Sequence, residues 1–151
     1  MSIERRDALF TELCQVLDIP CSQQTVEAGQ LQVGGFDASL DFYEDDAAAI
    51  YLSFEYGIVT SGRTLRIFRL LLEANLSIYA QDQAQLGLDA ETGGIVLLVR
   101  VPFADDVNGD YLAELVDHYV EHGMYWRDNI LQASDEMFDN LASGAYLWIK
   151  A

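Results

Sequence analysis

His118 and His122 stand at i, i+4, a spacing that puts both imidazoles on one helix face within reach of a shared metal. A catalytic zinc takes a third protein ligand and keeps one open position. The chain has 2 histidines in all, and no glutamate sits where a zinc-protease helix needs its general base. The pair therefore reads as two solvated imidazoles on a polar face. Asp105-Asp106-Val107-Asn108-Gly109-Asp110 gathers acids without the alternate spacing, sixth-position glycine and twelfth-position glutamate of a calcium loop. It reads as an acidic turn ahead of a helix. Glu44-Asp45-Asp46 reads as a solvated turn at a hairpin tip. No GxSxG, Walker-type loop or Cys–His pair placed for a nucleophile is present in the sequence. Gly34-Gly35 and Gly93-Gly94 are turn glycines. Cys14 and Cys21, the only cysteines, read as reduced thiols acting as small core residues. The expectation is a protein that is not an enzyme, with no cofactor and no metal.

The elements around these groups follow from hydrophobic period. Leu9, Leu13, Val16 and Leu17 recur at three-to-four spacing, with Phe10 and Cys14 beside them, which predicts a helix over 3–17 capped by Ser2 and stopped by Pro20. From Gln30 to Tyr56 the period is two. Leu31 and Val33, then Phe36 to Phe42, then Ile50 to Phe54 alternate with polar residues and predict a three-stranded antiparallel meander with one buried face. Residues 62–78 return to a helical period, with Arg63, Arg66, Arg69 and Glu73 as a narrow polar stripe and apolar residues almost everywhere else. A one-sided surface helix needs only a limited apolar stripe, so this one is expected to be covered on two sides. Ala84–Leu88 and Gly94–Phe103 predict a hairpin whose second strand is apolar on both faces. A last amphipathic helix runs from about Asp110 to Leu131 with Asn108 as N-cap, and Tyr146–Ile149 ends the chain in apolar bulk. The expected fold is α+β, one domain over 1–151 in the order αβββαββα, with helices flanking an antiparallel sheet. The core would span about 3–131, with 132–151 as an extension.

Lys plus Arg number 8 and Asp plus Glu 25, a net charge of −17, while 51% of residues are apolar. Such a chain lacks the cations that bind a phosphate backbone and is repelled by anionic membranes, yet it is too apolar to be disordered. Neither a nucleic acid nor a membrane is expected as partner. No apolar run approaches the roughly 18 residues that span a bilayer, and the N-terminal residues hold no signal-peptide core. Surplus apolar surface on a soluble acidic chain points to protein–protein contact.

Leu70-Leu71-Leu72-Glu73-Ala74-Asn75-Leu76 resembles the second helix of class I type III secretion chaperones, the Tir-chaperone family. In order along the chain, Leu86-Gly87-Leu88-Asp89 and Ile95–Pro102 resemble that family's fourth and fifth strands, and Leu112 through Trp126-Arg127 its last helix. The resemblance covers roughly residues 3–131. Ser77–Gln83 departs from the family's short glycine-containing turn, and the tail after Leu131 does not align. The resemblance implies a non-enzymatic homodimer in the bacterial cytoplasm that holds an N-terminal segment of a secreted effector extended and export-competent.

Two residue sets are expected to carry these contacts. Ile67, Leu70, Leu71 and Ala74 with Leu86 and Leu88 are expected at the dimer contact, closed by a two-fold axis. Leu9, Phe10, Leu13, Leu31, Val33 and Phe42 are the candidates for the client surface, where an extended peptide adds to a strand edge; some of them must be core residues instead, and period does not sort the two. Two other readings stand beside this one. A regulatory interaction module of the same fold would bind a folded surface. An acidic nucleic-acid mimic would need carboxylates arrayed on one face, whereas here the charge is spread as −7 over residues 1–75 and −10 over 76–151.

Overall fold

A computed structural model describes residues 2–59 and 62–132. The first helix, α1, spans Ile3–Leu17. Ser2 caps it by accepting from the Arg5 N–H, and Asp18 ends it in the left-handed region at φ 55°. A short helix that periodicity did not reveal, α2, follows at Gln23–Ala28. It buries no residue, so it carries no apolar stripe; its marks are Ser22, which accepts from the Thr25 N–H, and Gly29 at φ 65°. Strands β1 (Gln30–Val33), β2 (Phe36–Asp41) and β3 (Ala49–Ile58) form the expected meander. Helix α3 covers Thr64–Ala74 and continues as a π turn at Asn75–Tyr79 and a 3-10 turn at Ala80–Asp82. Strands β4 (Ala84–Leu88) and β5 (Gly94–Pro102) form the second hairpin, and α4 (Gly109–Trp126) runs into a π turn at Arg127–Leu131. The observed order thus inserts α2 into the expected series and otherwise keeps it.

The strands lie in the order β1-β2-β3-β5-β4. β1–β2 and β4–β5 are antiparallel pairs, so the chain is α+β. The described residues fall into two compact units, 2–54 with 100–120, and 55–59 and 62–99 with 121–132. In the first, Leu9, Phe10 and Leu13 of α1, Leu40 of β2, Ile50, Leu52 and Phe54 of β3, and Leu112 and Val116 of α4 are fully buried. In the second, Ile67 and Ala74 of α3, Ile95 and Leu97 of β5, and Trp126 and Ile130 are fully buried. Tyr146–Ile149 lie outside the described residues.

Each unit contains a buried arginine that stops a helix end. Arg6, 5% exposed, donates to the Val26 and Glu27 carbonyls at 2.8 and 3.1 Å and pairs with Asp7 at 3.0 Å. These are among the carbonyls that the last turn of α2 leaves without helical partners. Arg63, 8% exposed, donates to the Ile130 carbonyl at 3.1 Å in the closing π turn. Arg63 therefore leaves the solvent stripe expected for it. Gly29 joins α2 to β1 in close quarters: a Cβ there would collide with an Arg6 guanidinium nitrogen and lie 2.6 Å from the Leu40 carbonyl oxygen.

Candidate partner-binding surfaces

The residues expected to face a client divide sharply by burial. Leu9, Phe10 and Leu13 are fully buried on the inward stripe of α1, and Leu31 is buried on β1. Val33 and Phe42 are half-buried and keep some surface. A three-to-four spacing names the apolar face of a helix but not what covers it, which is why period alone placed the three α1 residues on a partner surface.

What the first unit does offer is a strand edge. β1 is an end strand of the sheet. Its register with β2 pairs Val33 with Phe36 across a two-residue turn, Leu31 with Ala38 and Gln30 with Ser39. One step further, the Leu40 N–H donates to the Gly29 carbonyl at 2.8 Å. Antiparallel partners alternate between hydrogen-bonded and non-bonded pairs. Gly29, Leu31 and Val33 are therefore the bonded positions, and the backbone N–H and C=O groups of Gln30 and Gln32 point away from β2. Among the described residues nothing pairs with those outward groups. The Gln32 side chain lies over the sheet instead, donating to Asp37 at 3.0 Å.

The second unit offers an apolar helix face. Of the residues expected at a dimer contact, Ile67, Leu70, Leu71 and Ala74 are buried inward, Leu86 is buried on β4, and Leu88 is half-exposed. The other side of α3 carries Leu65 and Leu72, 83% and 71% exposed, with Leu76 at 84% on the π turn and Phe68 half-buried between them. The helix does have two apolar faces, as its composition required. The face chosen from sequence is the one packed inside the unit, and the open one is its opposite.

β4 is the other end strand, and it is handled differently from β1. The Asp89 N–H donates to the Gly94 carbonyl at 2.8 Å, in register with Gly87↔Val96 and Gln85↔Leu98. The bonded positions on β4 are thus odd-numbered, and Ala84, Leu86 and Leu88 point outward. The Asn75 side chain occupies the middle one. Its Oδ1 accepts from the Leu86 N–H at 2.6 Å and its Nδ2 donates to the Leu86 carbonyl at 3.0 Å.

Three polar groups depart from their expected settings. Asp46 is not a solvated turn acid. It sits on a 3-10 turn, receives two guanidinium bonds from Arg100 at 2.6 and 2.9 Å and one from the Tyr51 hydroxyl at 2.5 Å. The Arg100 bonds, then the Tyr51 bond, lower its pKa to about 2. His122 is not simply solvated either: its Nδ1 lies 2.8 Å from the Tyr79 hydroxyl, which accepts from the Trp126 indole N–H at 2.9 Å. That hydroxyl has its own proton to give to Nδ1, and the three side chains form one chain of bonds from two helical elements. Cys14 is buried as expected, and burial, then Cys21, pushes its thiol pKa up to about 12. Cys21 is exposed and not a core residue. No cluster of three metal-ligating side chains occurs among the described residues, and no helix there is long and apolar enough to cross a membrane.

Comparison with known proteins agrees with this architecture. The model of the Tir chaperone protein (CesT) family matches residues 8–127. No curated protein matches the chain. Among solved structures, a chain of the ExsC–ExsE complex aligns with TM-score 0.65 at 17% identity, covering 87% of this chain and 98% of that one. A chain of the heterodimeric ExoU–SpcU complex from the type III secretion system of Pseudomonas aeruginosa aligns with TM-score 0.56 at 23% identity, covering 79% and 94%. A chain of the HopA1–SchA chaperone–effector complex aligns with TM-score 0.59 at 13% identity, covering 84% and 98%. At these identities the structural matches establish the shared fold. The family model, which accounts for four-fifths of the sequence, establishes kinship: the chain belongs to the Tir chaperone protein (CesT) family.

Proposed function

We propose that this protein is a cytoplasmic type III secretion chaperone. It acts without catalysis, as a homodimer, and binds an N-terminal segment of a secreted effector in extended, export-competent form. The family match over residues 8–127 carries this reading. The solved relatives, described as complexes with ExsE, ExoU and HopA1, support it. Residues 1–151 serve it as one chaperone domain, with the core over about 3–131 and the remainder as an extension.

The surfaces suit the two partners. An extended segment can add to β1, hydrogen-bonding to Gln30 and Gln32 and setting alternate side chains beside Val33. Main-chain bonding of this kind tolerates varied client sequences, because every residue but proline offers the same donor and acceptor. A second copy can cover Leu65, Phe68, Leu72 and Leu76, and a two-fold axis presents the same stripe from both sides. The charge of −17 keeps so apolar a surface soluble.

The test is capture of partners from native cytosol followed by limited proteolysis. The proposal expects a protected stretch of tens of residues near a partner's N-terminus. Capture of folded partners only, with no protected extended stretch, would instead support a regulatory module on this fold.

A further inference from the structure

The sheet has two end strands, and the chain treats them unequally. On β1 the outward groups of Gln30 and Gln32 have no partner among the described residues. On β4 the middle outward residue, Leu86, has both its N–H and its C=O taken by the Asn75 carboxamide. A carboxamide offers one carbonyl and one N–H side by side, the same pair a neighbouring strand's peptide would present. Asn75 is placed for this by the π turn that it opens after α3, and π turns inside helical runs are frequent at functional positions.

We propose that Asn75 is the residue that decides which edge receives a strand: it closes β4, so an incoming client strand adds only at β1. The proposal rests on the reading of β1 as the client's place and adds the device that makes the choice. A sheet with two open ends also invites β1 of one copy to pair with β4 of the next. That contact is heterologous, so it grows past a dimer into rings or chains of copies. By holding the centre of β4, Asn75 leaves β1 available for a client rather than for another copy.

The full-length protein by itself suffices for the test. Residue-resolved amide hydrogen exchange on the free protein should show Leu86 exchanging about five- to tenfold more slowly than Leu88, the equivalent outward position without this hook, as a net hydrogen bond of ordinary strength implies. Asn75→Leu, of similar volume, should remove that protection. At about 0.5 M salt, where like-charge repulsion is screened to a few ångströms, light scattering should show it forming species larger than a dimer that grow with concentration. Asn75→Asp keeps the acceptor for the Leu86 N–H and loses the donor, and should fall between the two. Equal exchange of Leu86 and Leu88 in the unaltered protein overturns the proposal, and that measurement stands even if the variants do not fold. So does a folded Asn75→Leu protein that stays at the size of the parent. No client enters these measurements, so a failure of the client-strand reading, seen as no protection of Gln30 and Gln32 in a captured complex, is a separate result.

Discussion

Replacing Leu72 with serine tests the open face of α3 as the dimer contact. Full burial of a leucine side chain contributes about 2 kcal/mol. Leu72 is 71% exposed in the single chain, so covering it in a dimer is worth roughly 1.5 kcal/mol per copy on that scale. A two-fold interface contains the residue twice, and the loss on substitution is then about 3 kcal/mol, which weakens dimerisation roughly 100-fold. Sedimentation equilibrium across a concentration series measures this directly. The fold of each copy should be little affected, because substitutions at exposed positions usually change stability by no more than about 0.5 kcal/mol. Leu71→Ala supplies the contrast. Leu71 is 6% exposed and faces its own unit, so its truncation should cost about 2–5 kcal/mol of folding stability by emptying core volume. A Leu72→Ser protein whose dimer dissociates within about threefold of the parent would refute the assignment. An unaltered chain that stays monomeric at micromolar concentration would refute the dimer itself.

Three further outcomes follow from named contacts. Asp46 has its pKa lowered to about 2 by Arg100 and Tyr51, so its contribution to stability is present above its unfolded value near 4 and is lost as pH falls towards 2. The melting-temperature gap between parent and Asp46→Asn should therefore be full at about pH 6 and close by about pH 2, and a pH-independent gap would contradict the pairing. Gly29→Ala should destabilise by about 2–4 kcal/mol, combining overpacking against Arg6 and the Leu40 carbonyl with a left-handed backbone that a Cβ disfavours; an unchanged denaturation midpoint would disprove that close approach. Tyr79→Phe should cost about 1–3 kcal/mol by leaving the buried Trp126 indole N–H without its acceptor, read as a shifted urea midpoint at constant slope.

Much of the architecture was legible in the sequence because burial writes itself as a period. The α1 limits follow from Ser2 and from the spacing of Leu9 and Leu13. The meander follows from the alternation of Phe36, Ala38 and Leu40 with Asp37 and Ser39, and the start of α4 from Asn108, whose Oδ1 accepts from the Tyr111 N–H at 3.0 Å. The surplus of apolar residues on α3 was equally plain, and with it the need for cover on two sides. α2 was not legible, since a helix of 6 residues that buries none of them has no period to read.

The surfaces were decided only by the tertiary structure. Leu71 and Leu72 are the same residue type one position apart, and period treats both as apolar helix. A step of about 100° around the axis sends one into the core and the other to solvent. Arg63 and Arg66 likewise read as one polar stripe, until the Ile130 carbonyl, 67 residues later in the chain, draws Arg63 inside. Strand edges are invisible to sequence for a related reason: alternation reports which side of a sheet a side chain takes, whereas the outward N–H and C=O groups belong to the backbone, which is the same in every strand. Sequence by itself determined the family and every element but α2, because each of those elements buries a face. Which apolar face lies open, and that β4 is held by Asn75 while β1 is not, depend on contacts between residues far apart in the chain, and only the folded structure brings those together.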